Sequence, residues 1–217
     1  MSVRLAVFDC DGTLVDGQHE ICSAMDDAFG SLGMVAPDHG TVRRAVGLSL
    51  PQTMRLLVPQ ESGELQAALV DAYKAAYRQA RTEGRVSEPL FDGIRPVLET
   101  LRTRGWDLGV ATGKSMRGLN HCLAVNALAD HFVTLQTADH HPSKPHPAML
   151  EAALDEAMAM AGDAVMIGDT TYDIAMARAA GVRAIGVTWG YHPAIDLVEA
   201  GADAVATTPA DLLEILG

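Results

Sequence analysis

VRLAVFDCDGTLVDG, residues 3–17, is the stretch on which the fold turns. Its first six residues carry one charge, Arg4, and are otherwise apolar and rich in β-formers, the composition of a strand buried in a parallel sheet. The run then ends in Asp9 and Asp11 with only Cys10 between them. Residues two apart on an extended chain point the same way, so the two carboxylates converge. Such a pair is costly unless a cation or a shared proton offsets the repulsion. In an open α/β sheet, ligands sit beyond the carboxyl ends of the strands. The stretch therefore predicts a first strand that delivers two acids to a site.

Downstream, the same strand signature returns at residues 107–111 (DLGVA), 132–136 (FVTLQ), 164–167 (AVMI), 182–187 (VRAIGV) and 204–206 (AVA). Segments of helical period separate them. Over residues 147–161, Leu150, Leu154 and Met158 recur every four residues, Pro147 suits the first turn, and Gly162 supplies a left-handed exit. Residues 171–180 end at Gly181, and residues 94–104 at Gly105, in the same way. Alternating strands and helices with short connections predict an α/β fold, a doubly wound parallel sheet. One stretch breaks the alternation. From Gln18 to about Gly84 no strand reads convincingly, whereas Ile21, Met25, Phe29 and Leu32 share one helical face, as do Leu65, Leu69, Tyr73 and Tyr77. The expected organisation is an α/β core of residues 1–16 and 88–217 with an inserted all-helical unit of residues 17–87. Gly17 on one side and Gly84 with Pro89 on the other mark two adjacent crossings about which a lobe can pivot.

The residues just after each strand form one set: Asp9 and Asp11; Thr112, Gly113 and Lys114; Ser143, Lys144 and Pro145; Gly168, Asp169 and, a turn later, Asp173. Each has an ordinary explanation. DxDG is often a solvated turn, GDTTYD suits a capped helix N-terminus, Lys144 reads as a surface lysine and Thr112 as a strand-end hydroxyl. Capping does not explain why all of them fall, in strand order, at carboxyl ends. Oxygen donors without His or Cys favour a hard ion, foremost Mg²⁺.

DCDGTLVD, ATGK, SKPHP and GDTTYD resemble, in order and spacing, the four motifs of the haloacid dehalogenase superfamily of phosphotransferases. The likeness spans nearly the whole chain, and the helical insertion is similar to the C1-type cap of the phosphoglycolate phosphatase-like branch. The resemblance implies that Asp9 is the nucleophile that forms an aspartyl phosphate, a known role for carboxylates. It implies that Asp11 protonates the leaving alcohol and later deprotonates water. Thr112 and Gly113 would donate to the phosphoryl oxygens, and Lys144 would tie nucleophile and phosphate together. Asp169 would bind Mg²⁺ with Asp9 and the Asp11 backbone carbonyl, supported by Asp173. Gly17 and Asp92 depart from the usual pattern, where relatives often carry Ser or Thr and Pro. Lys114 stands where many relatives are neutral, and reads as a surface lysine or as added positive potential near the leaving group.

Arg43 and Arg44 precede the segment AVGL, residues 45–48, where the similar family turns a loop toward its active site; either reads as a contact to an anionic substrate or as an exposed helix residue. Phosphomutase relatives place an arginine shortly after the corresponding glycine. Here Gly47 is followed by Leu48, Ser49, Leu50 and Pro51, which counts against a mutase. His140, His141 and His146 surround Lys144, but Pro142, Pro145 and Pro147 break the segment, so a polar loop is favoured over a zinc site.

Composition narrows the partners. With 16 Lys+Arg against 28 Asp+Glu the formal charge is −12, which opposes attraction to nucleic acid or an anionic bilayer. Three cysteines without CxxC spacing suit reduced thiols, and no apolar stretch approaches the ~20 residues of a membrane span. The expectation is a cytoplasmic Mg²⁺-dependent phosphatase, monomer or homodimer, acting on a small phosphorylated metabolite. Phosphoglycolate leads among substrates on the resemblance alone. A sugar phosphomutase, an inorganic pyrophosphatase and an idle binding protein on the same fold are the rivals.

Overall fold

Leu5 and Val7 face one side of a sheet and Ala6 and Phe8 the other, and all four are fully buried. That alternation needs apolar layers on both faces, which helices supply. The computed structural model describes residues 3–217; Met1 and Ser2, the start of the expected core segment, lie outside them. Among the described residues, β1 (Arg4–Phe8), β2 (Trp106–Thr112), β3 (Thr134–Thr137), β4 (Ala164–Gly168), β5 (Arg183–Val187) and β6 (Ala204–Ala206) form one sheet, ordered β3-β2-β1-β4-β5-β6. Every pairing is parallel. The chain runs outward in one direction from β1 to β3, then returns to β4 beside β1, so the strand order reverses next to β1. Helices α5 (Ile94–Thr103), α6 (Met116–Val125) and α10 (Asp211–Ile215) cover one face, where Leu98, Leu119 and Leu212 pack on Phe8 and Val110. Helices α7 (Ala148–Ala157), α8 (Thr171–Ala179) and α9 (Ala194–Glu199) cover the other, with Leu150, Ile174 and Leu197 on Leu5 and Val7. The doubly wound α/β sheet is as the sequence predicts.

Between β1 and α5 lie four helices and no sheet strand: α1 (Gln18–Ser31), α2 (His39–Arg44), α3 (Leu50–Leu57) and α4 (Gly63–Thr82). They have a separate core, in which Met25, Phe29, Val42, Met54 and Leu69 meet. Chain entry and exit are paired: the Asp16 N–H donates to Pro89 O at 2.9 Å, the Phe91 N–H to Leu14 O at 3.1 Å, and Val15 bridges Leu90. No helix among the described residues is long and apolar enough to cross a membrane.

Three local expectations need correction. Helix α1 stops at Ser31, so Leu32 leaves the buried face and is 39% exposed. The α7 helix ends at Ala157, and the left-handed exit is Met158 (φ 54°), not Gly162. There the Ala159 N–H turns back to Leu154 O at 2.9 Å, which brings Ala159 and Ala161 onto the second core while the Met158 side chain stays outside. Finally, β3 begins two residues later than expected: the ladder to β2 starts at Thr134, and the half-exposed Val133 gives β2 only its N–H, to Leu108 O at 2.8 Å. Helix α6 was not anticipated; Ser115 caps it by accepting from the Gly118 N–H at 3.2 Å.

Candidate active site

The reversal of strand order leaves a crevice at the carboxyl end of β1, the usual ligand position in such sheets. Asp9 continues the ladder there, its N–H donating to Ile167 O at 2.9 Å. Thr112 ends β2 on one side, and Asp169 follows β4 on the other. Lys144, buried to 1% exposure, reaches in from the loop before α7. Its ammonium lies 2.9 Å from Asp9 Oδ1 and 2.6 Å from Asp173 Oδ1. Asp173 is fixed in turn by a capping box at the start of α8: its Oδ2 accepts from the Thr170 hydroxyl at 2.7 Å and the Thr170 N–H at 3.1 Å. Asp169 accepts from the Thr13 hydroxyl at 2.8 Å and the Tyr191 N–H at 2.9 Å. GDTTYD thus caps a helix, through Thr170 and Asp173, and also places Asp169 and Asp173 beside Asp9.

One ammonium does not balance this charge. Burial, with Asp173 and Asp11 nearby, raises the Asp9 pKa to about 7 despite Lys144. Burial and the charges of Asp9 and Asp173 push Asp169 well above the carboxylate range. Carboxylate oxygens of Asp9, Asp169 and Asp173 lie within 4.8 Å of one another, and Asp9 Oδ2 is buried without a hydrogen-bond partner among the described residues. An all-carboxylate set with an orphaned oxygen and upward-shifted acids fits a hard divalent cation.

Lys114 corrects another expectation. It is no surface lysine, for its side chain is 10% exposed and its ammonium lies 2.8 Å from Asp11 Oδ1 and 2.7 Å from Glu88 Oε1. The Tyr77 hydroxyl of α4 donates to the same Glu88 oxygen at 2.6 Å. Burial raises the Asp11 pKa against the pull of Lys114, whereas Lys114 keeps Glu88 below its usual value despite burial. Sequence reasoning missed Glu88. It stands in the returning crossover, and no spacing rule ties it to Asp11 or Lys114.

Above these groups is a cavity of about 350 Å³ between core and helical segment, lined at its floor by Asp9, Asp11, Thr112 and Gly113. The two parts touch closely. A Cβ on Gly113 would lie 2.4 Å from the Leu48 carbonyl oxygen, so only glycine permits this approach. The Ser49 N–H also donates to Ser143 Oγ at 2.8 Å, beside Lys144. Gly12 (φ 84°) is required for a similar reason, since a Cβ there would meet Asp169 Oδ2 at 2.2 Å. The arginines singled out from sequence do not line this cavity. Arg43 turns away to Gln18 Oε1 at 3.1 Å, and Arg44 lies exposed near Asp196 at 3.5 Å. Of the histidines, His141 contacts Gln136 at 2.8 Å and His146 accepts from the Ala148 N–H at 3.2 Å; they build the loop that presents Lys144.

Comparison with known proteins agrees with this architecture. Residues 6–187 match the family model described as haloacid dehalogenase-like hydrolase. The probable phosphatase IndB of Dickeya dadantii is 36% identical over 208 residues, 94% of this chain and 89% of that protein. Tyrosine-protein kinase PtkA of Mycobacterium tuberculosis is 33% identical over 99% of this chain and 72% of its own length. Phosphoglycolate phosphatase of Vibrio parahaemolyticus is 28% identical over 99% of this chain and 96% of its own. Among solved structures, a predicted phosphatase from Clostridium acetobutylicum superposes with a TM-score of 0.89 at 25% identity, over 100% of this chain and 99% of that one. With a family model that covers most of its length and strand-end acids gathered in one crevice, the chain belongs to the haloacid dehalogenase-like hydrolases, among relatives of the phosphatase kind.

Proposed function

We propose that the protein is a Mg²⁺-dependent phosphatase that hydrolyses a small phosphomonoester through a phosphoryl group carried on Asp9. The observation that carries this reading is Asp9 itself: it lines the cavity floor, one oxygen is held by Lys144, and the other is buried without a hydrogen-bond partner among the described residues. In the first step the free Asp9 oxygen attacks phosphorus, the ester P–O bond breaks, and the leaving oxygen takes its proton from Asp11. In the second, Asp11 removes a proton from water, the water oxygen attacks phosphorus, and the P–O bond to Asp9 breaks to release phosphate. The Thr112 hydroxyl and Gly113 N–H orient the phosphoryl oxygens, and Lys144 offsets the charge of nucleophile and phosphate. Asp9, Asp169 and the Asp11 carbonyl would hold Mg²⁺, with Asp173 fixing Lys144 beside them. When bound, the ion supplies electrostatic neutralisation that lets two anions approach.

Residues 17–87 act as a cap over a core of residues 1–16 and 88–217, pivoting on the paired crossings at Asp16 and Pro89. The buried, unlinked Cys10, Cys22 and Cys122 support a reducing cytoplasmic setting. Phosphoglycolate, the substrate named for a relative 28% identical, is the reference compound. Free-phosphate release with Mg²⁺ present tests the proposal. Asp9→Asn should lose at least ~10³-fold in kcat with an unchanged circular dichroism spectrum. Wild-type turnover by that variant, or full activity in EDTA, would refute the nucleophile or the metal respectively.

A further inference from the structure

The cavity is larger and differently lined than a two-carbon ester requires. Beyond the acidic floor its wall is apolar and aromatic, with Ile21, Met25, Val42, Leu50, Tyr73 and Tyr77. At about 350 Å³ it falls in the range of roughly 300–1,000 Å³ typical of sites that enclose a whole organic ligand. Lys74 and Arg78 of α4 and Arg117 of α6, all exposed, and the half-buried Arg81 of α4 line the same cavity. With Lys114, five of the chain's 16 Lys and Arg residues converge on this one space, in a molecule whose formal charge is −12. None of these four outer cations has a carboxylate partner among the ion pairs of the described residues. They are also periodic. Lys74, Arg78 and Arg81 recur four and three residues apart, so they lie on one face of α4. The same helix brings Tyr77 to Glu88, next to Lys114 and Asp11. Arg81 stands about one turn beyond Tyr77 and Lys74 nearly one turn before it, about 6 Å and about 4.5 Å along the axis at 1.5 Å per residue.

We infer that the substrate is a phosphomonoester with an apolar or aromatic body and a second anionic group at its far end, received by Arg78, Arg81, Lys74 and Arg117. This rests on the phosphatase reading and names the substrate class for that site. Phosphoglycolate has its carboxylate one carbon from the ester oxygen, so it leaves both the apolar wall and the outer cations unused.

Two esters of equal size isolate the distal charge: 4-carboxyphenyl phosphate and its neutral analogue 4-carbamoylphenyl phosphate, with phosphoglycolate as the short reference. The carboxylate should be preferred at least tenfold in kcat/KM over its amide and should exceed phosphoglycolate. In the Arg78→Glu/Arg81→Glu double variant that ratio should fall to near one or below. Arg117→Glu, on a different helix, should lower it as well, which guards against a folding defect confined to α4. Equal kcat/KM for the two aryl esters, a ratio that survives all three charge reversals, or phosphoglycolate turning over faster than both would overturn the inference. Calorimetric binding of the same esters to Asp9→Asn separates the two readings. Tenfold discrimination in binding without hydrolysis by the wild type sinks the phosphatase reading alone; hydrolysis without discrimination sinks the substrate class alone; neither binding nor hydrolysis of the aryl esters sinks both.

Discussion

Lys114 is the residue whose place is hardest to see from the chain. Local pattern puts it just past β2, where an exposed lysine is unremarkable, but its partners Asp11 and Glu88 are 103 and 26 residues away in sequence. Only the folded core, with β1, β2 and the returning crossover side by side, brings them together. Asp9, Asp11, Thr112, Lys144, Asp169 and Asp173 were legible because strand ends are predictable and each lies at one or in the loop or first helical turn beyond it; Arg43 and Arg44 were not, because a helix end in the insertion does not reveal which way its side chains turn. The buried pair carries a specific expectation. Removing one partner of such a pair costs about 3–5 kcal/mol, because the other charges stay buried and unmatched. Lys114→Met should therefore lower the denaturation midpoint strongly, and Glu88→Gln in the same chain should restore part of the loss. If Lys114→Met unfolds at the wild-type midpoint, the ion pairs contribute nothing to the fold.

At the scale of elements, β1, β2, β4 and β5 were read within two residues, since a strand buried on both faces is an uninterrupted apolar run. Helix ends were less legible. The α7 exit at Met158 is set by where the second core needs Ala159, a tertiary demand that no glycine marks. The β2–α6 turn meets the backbone of the α2–α3 connection, at Gly113 against Gly47 and Leu48. Carbonyl oxygens cannot swing aside as a side chain does. Gly113→Ala should push the helical segment off the floor and reduce kcat/KM at least tenfold, mainly through KM. An unchanged KM would mean that this contact does not set the seating of the helical segment.

Across the whole molecule, the acid cluster couples ionisation to stability. Asp9 has a folded pKa of about 7 against 3.8 unperturbed, and Asp169 shifts the same way, so the folded chain holds protons that the unfolded chain releases. Stability from this source is present below the unperturbed value and is lost as pH rises through about 7. His131 and His141, held below their usual value by burial, tilt the opposite way with or without metal. The gain in melting temperature on replacing EDTA by Mg²⁺ isolates the cluster: it should grow from pH 5 to pH 8, and an equal gain at both would show that the carboxylates are not the binding site. The overall plan was legible because alternation and breakers are read over tens of residues; the joint cavity was not, because it belongs to neither half alone. The crossings at Asp16–Pro89 and Leu14–Phe91 bear on how such a chain diversifies. Because the helical segment leaves and rejoins the core at one short ribbon, it resembles a replaceable cassette: insertions, deletions and substitutions inside it leave the sheet order untouched. The cavity's apolar wall and the strand-end acids thereby lie on separate stretches of the gene, and descendants of one ancestor are free to reshape the wall while keeping the acids.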